Sequence, residues 1–198
     1  MKRRTKIITS IASITLALAI LVFGVYAANT ATFTITSSVA FVPNDVFVHC
    51  TFSEYYGTAE TVVGTPTQIG TTQSWDSYTG TGSAKVPKSV EYYSLESQYG
   101  STNQELGMSY ASTIRFVVTI RNDSPFTITI SKGESRHDYM ENVDLTTSTE
   151  KVGESNYSSA TGLVANATYT YTRYATVQEG ALSAQCQFRP YFAMAKKA

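Results

Sequence analysis

The sequence predicts an all-β protein, an antiparallel β-sandwich that follows an N-terminal signal or anchor helix. Residues 113–131 alternate between apolar and polar side chains on both sides of the turn-forming segment 122–125, a pattern typical of two adjacent antiparallel strands with one buried face. Charged residues are only 15% of the chain, against about 25% in average soluble domains, and strand-favouring Thr and Tyr are abundant. About seven alternating runs with turns between them favour a sandwich or jelly roll.

The first 27 residues predict an export signal. Four basic residues before position 7 precede the uncharged apolar stretch 7–25. Val25 and Ala27 then place small residues at the −3 and −1 positions of a signal-peptidase site, with Ala28 as a second choice. The apolar stretch is also nearly long enough to remain as a membrane anchor. Both alternatives place a single domain, residues 28–198, outside the cytoplasm.

The charge balance of that domain argues against a nucleic-acid partner. The chain has 15 basic and 15 acidic residues, and four of the basic ones lie before the apolar stretch. Without those four, 11 basic residues face 15 acidic ones, a net charge of −4, and no basic cluster remains to contact phosphates. We expect contact with a membrane only through the N-terminal segment.

The strands follow in chain order. Residues 32–42 predict a first strand, or two strands divided after Ser38, and the next strand buries four side chains: Val46, Val48, Cys50 and Phe52. Signals weaken over 57–112, where 67–69 predicts a short strand and 88–98 fits either a helix or a strand. Residues 132–159 predict a polar excursion with a short strand near 143–145. Residues 167–177 and 181–192 predict the last strands, and one face of the final one carries Leu182, Ala184, Cys186 and Phe188.

Cys50 and Cys186 are the two cysteines of the chain, and each falls on the apolar side of a predicted strand. An exported protein favours a disulfide between them, which would join the beginning and the end of the domain. The alternative is two buried thiols that act as small hydrophobic residues. His49 alternates to the opposite face from Cys50, so it is not placed to act as a base for that thiol.

No motif predicts catalysis or a cofactor. The sequence lacks the zinc-protease and nucleophile-elbow patterns and paired Cys-x-x-Cys motifs. His137, Asp138, Glu141 and Asp144 form the densest set of possible ligands for Ca²⁺, but they lack a calcium-loop spacing, and a solvated loop is the simpler interpretation. We therefore predict no catalytic residue, no metal site and no cofactor.

Trp75 and Tyr78 lie in a segment rich in Thr, Gly and Ser. Exposed aromatic rings offer flat apolar faces that stack on sugars or on another protein. The alternative is that these rings cap the core of the sandwich.

The end of the leader, Phe23–Ala28, and two strand segments, Val118–Asn122 and Leu182–Phe188, resemble small secreted proteins of Gram-positive bacteria with SipW-type signal peptides, the camelysin and TasA-like group. Residues 29–31 differ from the aromatic residue and Asp that the family carries after its cleavage site. The resemblance implies a jelly-roll or immunoglobulin-like sandwich outside the cell, as a matrix or fibre subunit. The protease activity attached to some camelysins has no supporting residues here.

The sequence thus predicts a non-enzymatic secreted or cell-surface structural protein. We expect it to associate with itself through sheet edges or its N-terminal segment, with residues 32–42 as the candidate strand. The second hypothesis is a carbohydrate- or surface-binding module that uses Trp75 and neighbouring tyrosines.

Overall fold

The computed structural model describes residues 30–58, 66–96, 104–109, 112–134, 140–153, 155–181 and 183–198. Within these ranges the chain forms fifteen strands and one 3-10 helix, Gly82–Ala84. The strands are β1 (Thr30–Val42), β2 (Val48–Thr58), β3 (Thr67–Asp76), β4 (Tyr78–Thr79), β5 (Val86–Pro87), β6 (Tyr93–Glu96), β7 (Gln104–Ser109), β8 (Ser112–Asn122), β9 (Ile128–Glu134), β10 (Met140–Glu141), β11 (Val143–Val152), β12 (Ser155–Asn156), β13 (Thr168–Val177), β14 (Ser183–Phe188) and β15 (Pro190–Lys196).

The six-stranded sheet is antiparallel, in the order β12-β11-β13-β8-β2-β3. β8 has partners on both sides, and its Val118 lies opposite Phe52 of β2 and Tyr171 of β13. The alternation in β8 predicted one buried face, and the structure confirms it, because four side chains of that face are fully buried: Ile114, Phe116, Val118 and Ile120.

The seven-stranded sheet is built around β1, which pairs with β14 and β15 on one side and with β6 and β7 on the other. β14 and β15 run parallel to β1, and the pairs Thr32–Ser183 and Val42–Ala193 are both 151 positions apart. The two strands therefore form one line, interrupted before Pro190, which has no amide hydrogen to donate. β9 and β10 extend the sheet beyond β15 and β14.

The expected hairpin between the two halves of 113–131 is wrong. β8 pairs with β2 and β13 of the six-stranded sheet, whereas β9 pairs with β15 of the seven-stranded sheet. The intervening turn therefore carries the chain from one sheet to the other. An alternating pattern around a turn cannot distinguish these two outcomes, because both need two half-buried strands and a polar connection.

Asn122 holds this crossing in place and is fully buried. Its Nδ2 donates to the carbonyl oxygens of Phe126 (2.8 Å) and Leu163 (2.9 Å), and its Oδ1 accepts from the backbone N–H of Ser124 (2.9 Å). The backbone of Leu163 also exchanges hydrogen bonds with Ile128. One amide side chain thus satisfies three backbone groups and fixes where β8 ends.

The core lies between the two sheets and is rich in aromatic rings. Phe188 of β14 reaches across to the six-stranded sheet, with ring-centroid distances of 4.3 Å to Phe116 and 6.3 Å to both Phe52 and Tyr171. Full burial of each such ring contributes about 1.5–3 kcal/mol. Cross-sheet stacking of this kind makes the two layers one core.

Several other predictions can be compared with the structure. Residues 32–42 form a single strand rather than two, and 88–98 contains the strand β6 rather than a helix. Buried Leu95 and the pairing of β6 with β1 explain that choice. The leader, with residues 7–25, Ala27 and Ala28, lies outside the described residues. The part of the chain that the structure describes includes no helix long and apolar enough to span a membrane.

Candidate functional site

Trp75 lies in the core rather than on the surface. Trp75 is only 7% exposed, and its ring stacks on that of Tyr93 of β6, with 4.4 Å between the ring centroids and 6° between the ring planes. The Lys88 ammonium group lies 5.6 Å from the indole centroid. This stack closes the sandwich between β3 and β6, as the capping interpretation predicted, and the ring presents no open face to a ligand.

Tyr78 is also committed to contacts within the protein. Its hydroxyl donates to Asp123 Oδ2 at 2.5 Å, its ring meets Phe47 edge-on at 5.6 Å, and the Lys85 ammonium group lies 4.6 Å above it. Burial and the hydrogen bond to Asp123 raise the pKa of Tyr78 to about 12. The phenol is therefore neutral at physiological pH and acts as a donor.

Asp123 is the centre of this polar cluster. Arg121 donates to both of its carboxylate oxygens, at 2.6 Å and 3.0 Å, and Lys85 donates to its backbone carbonyl at 2.9 Å. Burial alone would raise the pKa of Asp123, but the hydrogen bonds from Arg121 and Tyr78 and the nearby positive charges lower it below the ordinary value. The hydrogen bond to Asp123 in turn raises the pKa of Arg121.

A second pair continues the cluster across the six-stranded sheet. His49 of β2 lies opposite Arg121 on one side and Asp76 on the other, and its Nδ1 lies 2.7 Å from Asp76 Oδ1. Asp76, His49 and Arg121 thus form a row across β3, β2 and β8, at the end of the sheet where the turn at Asp123 begins. These mutually paired groups form a clamp that holds the turn and Tyr78 in position.

Both cysteines are buried, and the structure places no disulfide bond between them. Cys50 belongs to the six-stranded sheet and Cys186 to the seven-stranded sheet. Burial, followed by the negative charges of Asp76 and Asp123, raises the pKa of the Cys50 thiol well above its ordinary value. A neutral buried thiol is a poor nucleophile. The disulfide between them stays a prediction.

The edge of the six-stranded sheet at β3 is the surface feature that bears most directly on self-association. Among the described strands β3 is the last of its sheet, and it has a partner, β2, on one side. Its ten residues, TQIGTTQSWD, carry no charge before Asp76. Exposed side chains along it are Thr67, Gln68, Thr71, Thr72 and Ser74. We call this strand with its outer backbone the β3 edge.

The β3 edge is interrupted by a bulge. The register with β2 shifts between Phe52 and Glu54, and Gly70 adopts a positive φ of 67° at this point. A bulge is one of the devices that restrict strand addition at an edge. Here the bulge divides β3 into two short segments. The exposed side chains of both segments are uncharged.

Sequence reasoning missed most of the residues around Tyr78. Arg121 precedes the recognised turn and Asp123 belongs to it, but the contacts of Asp123 with Lys85 and Tyr78 span about forty positions of the chain, and no local pattern indicates them. His137 and Asp138 of the predicted ligand-rich segment lie outside the described residues. Among the residues that the structure places, no group of three His, Cys, Asp or Glu side chains is arranged to hold a metal.

Comparison with known proteins adds no family to these observations. No protein-family model matches the chain, and no curated protein matches it.

Proposed function

We propose that the chain is a non-enzymatic structural protein of the cell exterior that associates with copies of itself through the β3 edge. The observation that carries the proposal is the Thr-, Gln- and Ser-rich sequence of an edge strand that carries no charge before Asp76. The outward N–H and C=O groups of an edge strand can form hydrogen bonds with a strand of another chain.

The other edge strands support this choice by contrast. β6 ends in Glu96, and β9 carries Lys132. β11 carries both acidic and basic residues, and the two-residue strand β12 covers part of it. Charged side chains at an edge oppose pairing because a neighbouring strand would have to desolvate them. β3 offers nine uncharged residues before Asp76, whereas β6 offers three before Glu96.

The expected role of residues 32–42 as a free edge strand is wrong in the folded chain. β1 has a hydrogen-bonded partner on each side over most of its length. Its removal would take out the middle of the seven-stranded sheet, so deletion of this strand would test folding and not association.

The absence of enzymatic activity is also part of the proposal. The groups that could act as nucleophiles near the polar cluster are held in their neutral forms. The pKa of Tyr78 is raised, and its hydroxyl donates a hydrogen bond to Asp123. The Cys50 thiol is buried, and its pKa is also raised. Both serve the fold in this arrangement.

The test is the size of the purified protein as its concentration rises, followed by chromatography with light scattering and by negative-stain microscopy. We expect concentration-dependent oligomers or filaments. Ser74→Lys places a charge on the exposed side of β3 and should shift assembly to at least tenfold higher concentration.

Thr168→Lys is the matched control, because Thr168 is also exposed but belongs to β13, which has strands on both sides. It should assemble like the wild type. A wild-type protein that stays monomeric at high concentration would overturn the structural function. Assembly that Ser74→Lys leaves unchanged would overturn the assignment to the β3 edge.

A further inference from the structure

The outer face of the seven-stranded sheet carries a groove that the proposed association does not use. Its volume is about 570 Å³, within the range of about 300–1,000 Å³ that is usual for small-molecule sites. Side chains of β1, β6 and β15 form it, and two exposed tyrosines, Tyr92 and Tyr191, flank it. We call it the tyrosine groove.

The floor of the groove is made of small and hydroxylated residues because of the strand register. Ser38 of β1 lies opposite Glu96 of β6, and the next outward residue, Ala40, lies between Ser94 of β6 and Tyr191 of β15. Small side chains in the centre and larger ones on both sides make a concave surface out of a flat sheet. The floor offers hydroxyl groups that both donate and accept hydrogen bonds.

Tyr191 is held as a flat platform at one side of the groove. It lies opposite Gly133 of β9, and its ring covers the position that a side chain at residue 133 would occupy. A Cβ atom added to Gly133 would lie 1.9 Å from Tyr191 Cε1. The ring therefore rests on the backbone of β9, while 42% of the residue stays exposed. In this arrangement an aromatic ring on one strand covers a glycine on the neighbouring strand, which has no side chain of its own to pack there.

Tyr92 forms the other side and is 59% exposed. The strands from β6 through β1 and β15 to β9 are spaced by about 4.8 Å each, so the two rings stand roughly 10–14 Å apart across the sheet. Glu96 and Arg189 add one carboxylate and one guanidinium group to the same groove. Their opposite charges leave the groove without a net charge.

We propose that the tyrosine groove binds a short neutral oligosaccharide of hexopyranose units. A pyranose ring has an apolar face of C–H groups that stacks on a tyrosine ring, and its hydroxyl groups match serine, carboxylate and guanidinium partners. The hydroxyl groups of Ser38 and Ser94 disfavour a wholly apolar ligand, because they would lose water without replacement. The balanced charge disfavours a strongly charged ligand.

This inference goes beyond the proposed association, because the groove lies on the sheet opposite to the β3 edge. It also transfers the sugar-binding hypothesis from Trp75, which is buried, to rings that are exposed. A structural protein with such a groove would attach its assemblies to a glycan surface.

The test is calorimetric titration of the purified protein with three probes, cellotetraose, maltotetraose and the tetramer of N-acetylglucosamine. We expect at least one to bind with a micromolar to millimolar Kd, and Tyr92→Ala to weaken that binding at least tenfold. Tyr92 precedes β6 and is mostly exposed, so the variant should melt at the wild-type temperature. Glu96→Gln should weaken binding without removing the ring.

Tyr56→Ala is the control, because Tyr56 is 39% exposed but belongs to β2 of the six-stranded sheet. Its affinity should equal that of the wild type. Failure of all three probes, or equal affinity of the Tyr92→Ala protein, would overturn the proposal. The Ser74→Lys protein, at a concentration where it has not assembled, should still bind the sugar, so loss of one property without the other separates this inference from the proposed association.

Discussion

Ser37 of β1 donates a hydrogen bond to the carboxylate of Glu54 of β2 across the interior between the two sheets. The two residues are 2% and 3% exposed, and they occupy positions that alternation assigns to apolar side chains. A buried carboxyl group needs hydrogen-bonding partners to offset its lost hydration. The pair therefore links the centre of the seven-stranded sheet to the six-stranded sheet by a polar contact.

Ser37→Ala is expected to lower the free energy of unfolding by about 1–3 kcal/mol, because the buried carboxylate loses this donor. Glu54→Gln should cost less than Glu54→Ala, since the amide oxygen still accepts the hydrogen bond and the side chain keeps its volume. Urea unfolding measures each difference. The control Ser38→Ala changes a neighbouring residue whose side chain points outward, and it should stay within about 0.5 kcal/mol.

Asn122→Ala should be among the most destabilising polar substitutions in the protein. It removes three hydrogen bonds to backbone groups at the crossing between the sheets, a loss of about 3 kcal/mol or more. Thermal and urea unfolding measure it. Asn156→Ala, at an exposed position of β12, is the control with the same change of side chain. Similar small losses in both variants would contradict the role assigned to Asn122.

Asp123→Asn should reduce stability by about 2 kcal/mol at neutral pH, because charge-assisted hydrogen bonds from Arg121 and Tyr78 are weakened. The pKa of Asp123 is lowered in the folded state. Its contribution is therefore complete above the pKa of the unfolded chain, about 4, and is lost as the pH falls through the lower folded value. The difference between wild type and variant should stay constant from pH 7 to about 5 and shrink below about 4. Urea unfolding across this range measures it, and a constant difference down to pH 2 would contradict the mechanism.

Gly133→Ala should weaken sugar binding without unfolding the protein. The new methyl group occupies the place of the Tyr191 ring, so the ring must leave its platform, and we expect at least a threefold loss of affinity by calorimetry. In a Tyr191→Ala background the same glycine substitution should change nothing. An equal loss in both backgrounds would show that Gly133 acts on the groove by another route.

The all-β class and most inward-facing residues were predictable from the sequence, because a period of two directly reports which side chains share a buried face. Val48, Cys50 and Phe52 of β2 are buried as predicted. Strand partnership was not predictable in this way. The pairing of β1 with β14 and the separation of β8 from β9 depend on contacts between distant parts of the chain.

The sites were less accessible to sequence reasoning than the fold. Trp75 was singled out for its residue type and its polar neighbours, but exposure depends on Tyr93, which reaches it from the other sheet. The tyrosine groove brings residues 36–40 together with 92–96 and 189–191. Neither Tyr92 nor Tyr191 lies in a motif, so they are revealed only by the register between strands that are neighbours in the sheet but distant along the chain.

The parallel pairing of β1 with the last two strands also sets the order in which this protein can fold. The first strand of the domain cannot complete its sheet until residues 183–196 have been synthesised and released, because its partners are 151 positions away. Closing a loop of that length costs about 4 kcal/mol of chain entropy beyond a constant term, and such non-local topologies fold slowly. A chain that lacks its last sixteen residues would leave β1 paired on one side only, so the domain folds only when these residues are present.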